Sequence, residues 1–193
     1  MTVAIAHPYS SAQFYHDNRK AMLGVAGAFC AFGVDHVATM VEKSLEAAGK
    51  IKPDDLQDVV QLLNGINNIP NVLLKVAAKT AAVAYVTIIG PVLEEWMFRE
   101  VFHEGLVRFT ASIWGPNTND TIQVVCRVFS NGILFGAAHL LPFQGWANVP
   151  IFVATALMGM VFAALREYTG DCQASCIAHM VNNTVVLKIL KFI

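Results

Sequence analysis

Charge is what this sequence has least of. Lys and Arg total 13 and Asp and Glu 14, so 14% of the 193 residues are charged, against the roughly 25% usual in soluble domains. There is no basic excess either. The formal net charge is −1, which leaves nothing to neutralise phosphates, and nucleic acid is excluded as a partner. Cys30, Cys126, Cys172 and Cys176 form no CxxC pair and lie in apolar segments, which argues against a disulfide framework. The start, MTVAIAHPYSSAQFYHDNRK, lacks a basic region leading into an apolar stretch and an early small-residue cleavage site, so no signal peptide is expected. The apolar segments themselves must then target the chain. No polar linker, repeat or low-complexity tract divides it, and residues 1–193 read as a single membrane domain.

What is abundant is apolar length. Hydrophobic residues make up 55%, and a membrane helix needs about 20 of them in succession to cross ~30 Å of hydrocarbon. Residues 128–165 contain no Asp, Glu, Lys or Arg, and Pro142, Gly145 and Pro150 punctuate the middle of that run beside Trp146. Two helices joined by an interfacial turn are expected. Residues 21–41, 69–93 and 172–187 are further candidates; Lys75 and Lys79 can snorkel from the second. Asp35-His36 reads as the end of a short or tilted first helix. Residues 42–58 are polar and read as a loop or short surface helix, with Lys52-Pro53-Asp54-Asp55 as a helix start.

The fold class is therefore all-α: a polytopic helical membrane protein with about five transmembrane helices, plus an amphipathic helix at residues 94–114. Localisation as a multi-pass integral membrane protein follows, with membrane lipids as partners. Five crossings divide the basic residues almost evenly between the two sides, so the positive-inside rule sets no orientation.

Ionisable groups at membrane depth are costly and are functional candidates by default. Three clusters qualify. In Glu94-Glu95-Trp96-Met97-Phe98-Arg99, Glu95 and Arg99 form an i,i+4 pair with the acid first, so Arg99 can neutralise Glu95. Glu94 points about 100° away and is free to face something else. In Phe135-Gly136-Ala137-Ala138-His139, Phe135 covers the face of His139, and in His179-Met180-Val181-Asn182-Asn183, His179 and Asn183 share a face. Taken singly, each also fits a plain interfacial ion pair or a packing histidine. Three separate helices each presenting one polar group predict convergence: the Glu94 carboxylate, both imidazoles and the Asn183 amide lining one pocket, with Glu95 turned toward Arg99. Two other patterns read as structural. Glu100-x-x-His103 has no second copy to complete a di-iron site, and Cys172, Cys176 and His179 on one helical face are explained by small-residue packing.

Glu94-Glu95-x-x-x-Arg99, Phe135-x-x-x-His139 and His179-x-x-x-Asn183, in that order, resemble the three motifs of the CPBP intramembrane proteases, the CAAX-protease and bacteriocin-processing or Abi family. The resemblance covers roughly residues 80–187, which it marks as the catalytic core; Glu100 stands where many members carry glycine. It implies an intramembrane endopeptidase in which Glu94, with His139, activates water while His179 and Asn183 stabilise the oxyanion. Glu95 and Arg99 would hold the helix, with Phe135 supporting. The substrate would be a peptide or protein, prenylated or not. The family implies no cofactor. The residue types alone leave open a zinc site of Glu94, His139 and His179 with a water in the open position. The other reading of the same motifs is a catalytically silent membrane scaffold or immunity protein.

Overall fold

The structure, a computed structural model, describes residues 11–51, 65–117, 120–142 and 144–189. Among these there is no strand, and five long helices carry the fold: α1 (Ser11–Ala47), α2 (Val72–Trp114), α3 (Thr121–Ala138), α4 (Asn148–Thr169) and α5 (Gln173–Ile189). Side chains of the residues before them cap α2 and α3. Asn71 Oδ1 accepts from Leu74 N at 3.0 Å, and Asp120 Oδ1 from Ile122 N at 2.9 Å, each meeting an amide the helix cannot pair. Gly170, at φ +85, ends α4 with its N–H on Arg166 O, a left-handed cap that favours glycine.

The expected turn within residues 128–165 is present: α3 ends at Ala138, and a 3-10 turn at Gly145–Ala147 leads into α4. Three expectations are corrected. Helix α1 does not end at Asp35-His36 but runs to Ala47, taking in the first part of the 42–58 connector. Residues 42–47 include good helix formers and continue the helix beyond its apolar part. The proposed start at Lys52-Pro53-Asp54-Asp55 lies outside the described residues. Nor is residues 94–114 a separate helix. It is the second half of the 43-residue α2, because neither Gly nor Pro interrupts residues 92–104 and Glu95 is neutralised in place by Arg99.

Helix α2 contains two π turns, Tyr85–Ile89 and Trp96–Phe102. Pro91 accounts for the first. It has no N–H for the carbonyl of Thr87 and its ring crowds that position, and the wider turn, in which Gly90 N bonds Tyr85 O, accommodates it. The π turns also straighten the buried face. Thr87, Pro91, Glu95, Arg99 and His103 are all buried at a spacing of four. In a regular α-helix each such step drifts by about 40°, so the series would wind well round the axis; the wider turns absorb much of that drift.

The bundle closes through small residues. A Cβ on Gly132 of α3 would lie 2.3 Å from Met160 Cγ and 2.7 Å from Ala156 O of α4, and one on Gly24 of α1 would lie 2.7 Å from Ile177 Cβ of α5. This is the close backbone approach of membrane helix packing. Among the described residues, Val72–Trp114, Thr121–Ala138 and Gly145–Thr169 are long and apolar enough to cross a membrane. Polarity is inverted relative to a soluble bundle: Arg99, Arg127, Gln123, Glu95, Asn131 and Asn182 are among the largest fully buried side chains, while Leu73, Phe29, Phe109 and Ile122 are exposed. Such a surface suits lipid and such an interior holds the ionisable groups away from it.

Candidate active site

The Glu94 carboxylate, the His139 imidazole and the His179 imidazole meet at the junction of α2, α3 and α5. Glu94 Oε2 lies 3.6 Å from His139 Nε2 and 3.8 Å from His179 Nε2. Neither is a direct hydrogen bond at that length, and Oε2 is buried without a partner.

The other ring nitrogens settle the tautomers. His139 Nδ1 is 2.7 Å from Phe135 O, an oxygen that only accepts, so Nδ1 carries the proton. His179 Nδ1 is 3.1 Å from Glu95 Oε1, and the same holds. In the neutral form each ring therefore turns an Nε2 lone pair toward the Glu94 carboxylate. With both rings neutral three acceptors face one another, and a proton taken up on either Nε2 supplies a donor to the Glu94 carboxylate. The rings are also held by stacking: Phe135 packs on His139 with centroids 4.5 Å apart, and Phe162 of α4 stacks on His179 at 5.1 Å.

Behind this group lies a fully buried ionic layer. Glu95 Oε2 accepts from Arg99 Nε at 2.9 Å with both side chains inaccessible. Arg99 donates through Nη1 to Asn131 Oδ1 and its guanidinium sits 5.0 Å from the Phe135 ring centroid. Glu95 thus turns toward Arg99 as expected, but it also orients His179, so one carboxylate serves both.

Asn183 is placed differently from the expectation. Its Nδ2 donates to Val86 O at 2.9 Å, on the first π turn, about two helical turns before Glu94. It is not one of the groups gathered at the carboxylate. Asn131 has the matching role at the second π turn, donating to Phe98 O at 2.7 Å, and Arg166 Nε donates to Arg99 O at 3.1 Å. Side chains from three other helices thus hold carbonyls in both wide turns. Sequence reasoning missed Asn131 and Arg166. Asn131 had a signal, since Gln123, Arg127, Asn131 and His139 recur at multiples of four along α3.

A second buried cluster was also missed. Glu167 of α4 takes Arg127 Nε on Oε1 at 2.5 Å, Arg127 Nη2 on Oε2 at 3.0 Å and His103 Nε2 at 3.1 Å. His103 is thereby occupied by the Glu167 carboxylate, in keeping with the structural reading of Glu100-x-x-His103. Among the described residues no group of three or more His, Cys, Asp or Glu is arranged to hold a metal ion, neither the Glu94, His139, His179 set nor Cys172, Cys176 and His179.

Fold and site together define a helical bundle with segments long and apolar enough to cross a membrane and an ionisable centre between its helices. The family model described as type II CAAX prenyl endopeptidase Rce1-like matches residues 76–185, more than half of the chain and all three motifs. The chain belongs to that family of intramembrane endopeptidases, as the motif resemblance implies. No curated protein and no solved structure matches it.

Proposed function

We propose that the protein is a multi-pass integral membrane endopeptidase, a single membrane domain in which Glu94 activates a water for attack on a peptide bond. The observation carrying this is the meeting of the Glu94 carboxylate with the Nε2 atoms of two imidazoles, at 3.6 and 3.8 Å, with Glu94 Oε2 lacking a hydrogen-bond partner. The Glu94 and His139 side chains are each about a third accessible, so a water can reach this carboxylate beside the imidazole, where a general base needs it. Depth supports an intramembrane reaction. His179 stacks on Phe162 and Gly136 abuts Ala156, so the centre lies beside the inner turns of α4, one of the membrane-crossing candidates.

In the reaction the water oxygen attacks the carbonyl carbon as Glu94, assisted by His139, takes its proton. The carbonyl oxygen becomes the oxyanion. His179, once it has taken a proton from solvent at Nε2 with Glu95 as counter-charge, donates a hydrogen bond to it. Glu94 then gives its proton to the leaving amine as the C–N bond breaks. Asn183 joins the oxyanion site only by exchanging Val86 O for substrate. The substrate is a peptide or protein reached through the lipid, with or without a prenyl group, and no cofactor takes part.

The test is cleavage of a membrane-peptide library by detergent-purified protein, wild type against Glu94→Gln. Cleavage that Glu94→Gln abolishes is expected. A wild type that cleaves nothing overturns the reading in favour of a silent scaffold or immunity protein. Activity should survive exhaustive treatment with a strong zinc chelator; loss restored by added zinc would replace the free water with a metal-bound one held by Glu94, His139 and His179. Alkaline carbonate should leave the protein in the membrane pellet.

A further inference from the structure

The helix that presents His179 begins with an unusual cap. Cys172 is the residue before α5, and its carbonyl takes the first bond of the helix from Cys176 N at 2.9 Å. In a common N-terminal arrangement the N–H of that residue is met by a Glu or Gln three positions on. Here that position is Ser175, whose Oγ donates to Cys172 O at 3.0 Å and leaves the N–H unserved. The acceptor comes from another helix: Glu100 Oε1 of α2 receives Cys172 N at 3.0 Å.

The same carboxylate is fixed from a third side. Arg166 of α4 lies with Nε 3.3 Å from Glu100 Oε1 and Nη2 3.5 Å from Oε2, while Nε also reaches Arg99 O at 3.1 Å. Glu100 therefore joins α2, α4 and the start of α5 within the second π turn, directly after Arg99. A negative charge at a helix N-terminus is itself stabilising. From Cys172 to His179 is two rigid turns, about 10 Å. Glu94 lies on the same helix as Glu100.

We infer that Glu100 is a positioning residue for the reaction: by capping α5 from α2, with Arg166 holding its carboxylate, it sets His179 at working distance from Glu94. Resting on the endopeptidase reading above, the inference adds to it the residue that aligns two catalytic helices. Glu100 is not among the groups gathered at the Glu94 carboxylate; its partners are Cys172 N and Arg166. A glutamine retains an oxygen for Cys172 N–H, whereas alanine removes the link.

The experiment uses the full-length protein in detergent with wild type, Glu100→Ala and Glu100→Gln. The first readout needs no activity: maleimide labelling of Cys172 and Cys176 followed by peptide mass spectrometry, with Cys30 and Cys126 as internal references. Glu100→Ala should speed labelling of the first pair alone by about tenfold, as the first turns of α5 open locally, and Glu100→Gln should return it most of the way. The second readout is peptide cleavage. Glu100→Ala should lower kcat by about 10- to 100-fold with little change in KM, since a misplacement near 1 Å can cost that much, and Glu100→Gln should rescue it.

Unchanged labelling in Glu100→Ala overturns the cap. Faster labelling with unchanged kcat overturns the positioning role. A fall in kcat that merely tracks the folded fraction, or equal loss in Glu100→Gln and Glu100→Ala, overturns it too. If wild type cleaves nothing while the thiols respond as expected, the endopeptidase reading fails and Glu100 is only a clamp on α5.

Discussion

The two polar clusters of this bundle contain the same kinds of residue and differ in how their carboxylates are met. Around Glu167, the carboxylate is met by donors: Arg127 and His103 bring N–H groups to it at 2.5 to 3.1 Å, and the atom left without a partner is His103 Nδ1, on the far side of the ring. Around Glu94, two imidazole Nε2 atoms stand 3.6 and 3.8 Å from a carboxylate oxygen that has no hydrogen-bond partner. A matched cluster holds helices together and gains nothing from a further group. An unmatched one calls for a proton donor, and at membrane depth only water, substrate or an ion can supply it. Glu95 stands between the two types, matched to Arg99 on one oxygen and lent to His179 by the other.

That difference makes the consequences of substitution separable. The largest effect should come from Glu94→Gln, which removes the base without unpairing any buried charge. Cleavage should fall by at least the 10²–10⁴-fold typical of general-base help, with an unfolding temperature near that of wild type. A mild loss with clear destabilisation would place Glu94 with the matched groups.

Next is the converse case, Arg127→Met. It leaves the half-buried Glu167 carboxylate with His103 as its remaining ring partner, and because that carboxylate keeps some contact with its surroundings the cost should be about 1–3 kcal/mol, below that of a fully buried pair. Thermal unfolding in detergent should show this while kcat per folded molecule stays within about twofold of wild type, because Arg127 stands outside the groups around Glu94. A specific fall in kcat would join the two clusters into one functional unit.

Glu95→Gln should show both signatures at once. It leaves Arg99 charged and buried without its carboxylate, a cost again on the order of 3 kcal/mol. It also weakens the carboxylate hold on His179 Nδ1, so kcat should fall even at temperatures where the variant is fully folded. Losses equal to those of Glu94→Gln in both measures would mean that the two glutamates are not distinguished by helical face.

Much of this was legible from particular residues. The deficit of charge gave a helical membrane fold, and the three i,i+4 motifs gave Glu94, His139 and His179 as a converging set. The continuity of α2 was not legible, because a hydropathy reading stops at Glu94-Glu95 and cannot know that Arg99 neutralises Glu95 inside the bundle. The π turns have only Pro91 and a row of buried residues spaced by four to announce them. Asn183 shares a face with His179 as its spacing requires, yet a carbonyl loosened by the first π turn takes its amide. The link between Arg127 and Glu167 joins residues far apart in sequence, and no local pattern contains it.

The smallest effect should lie at the surface, where a pair of the matched kind meets water. Lys20 Nζ donates to Asp171 Oδ2 between α1 and the turn into α5, with both side chains more than a third exposed. Partial burial raises the Asp171 pKa, but the hydrogen bond from Lys20 and that from Gln173 N–H outweigh it, and the carboxyl titrates below its ordinary value of 3.8. A depressed folded-state pKa stabilises above the unfolded value and is lost as pH falls through the folded one. Lys20→Met should therefore lower stability by no more than about 1 kcal/mol near pH 7, as exposed pairs do. The gap in unfolding temperature between wild type and variant should hold down to about pH 4 and close below it. A gap that persisted in full at the acid end would show that Lys20 acts through packing of its stem rather than through its charge.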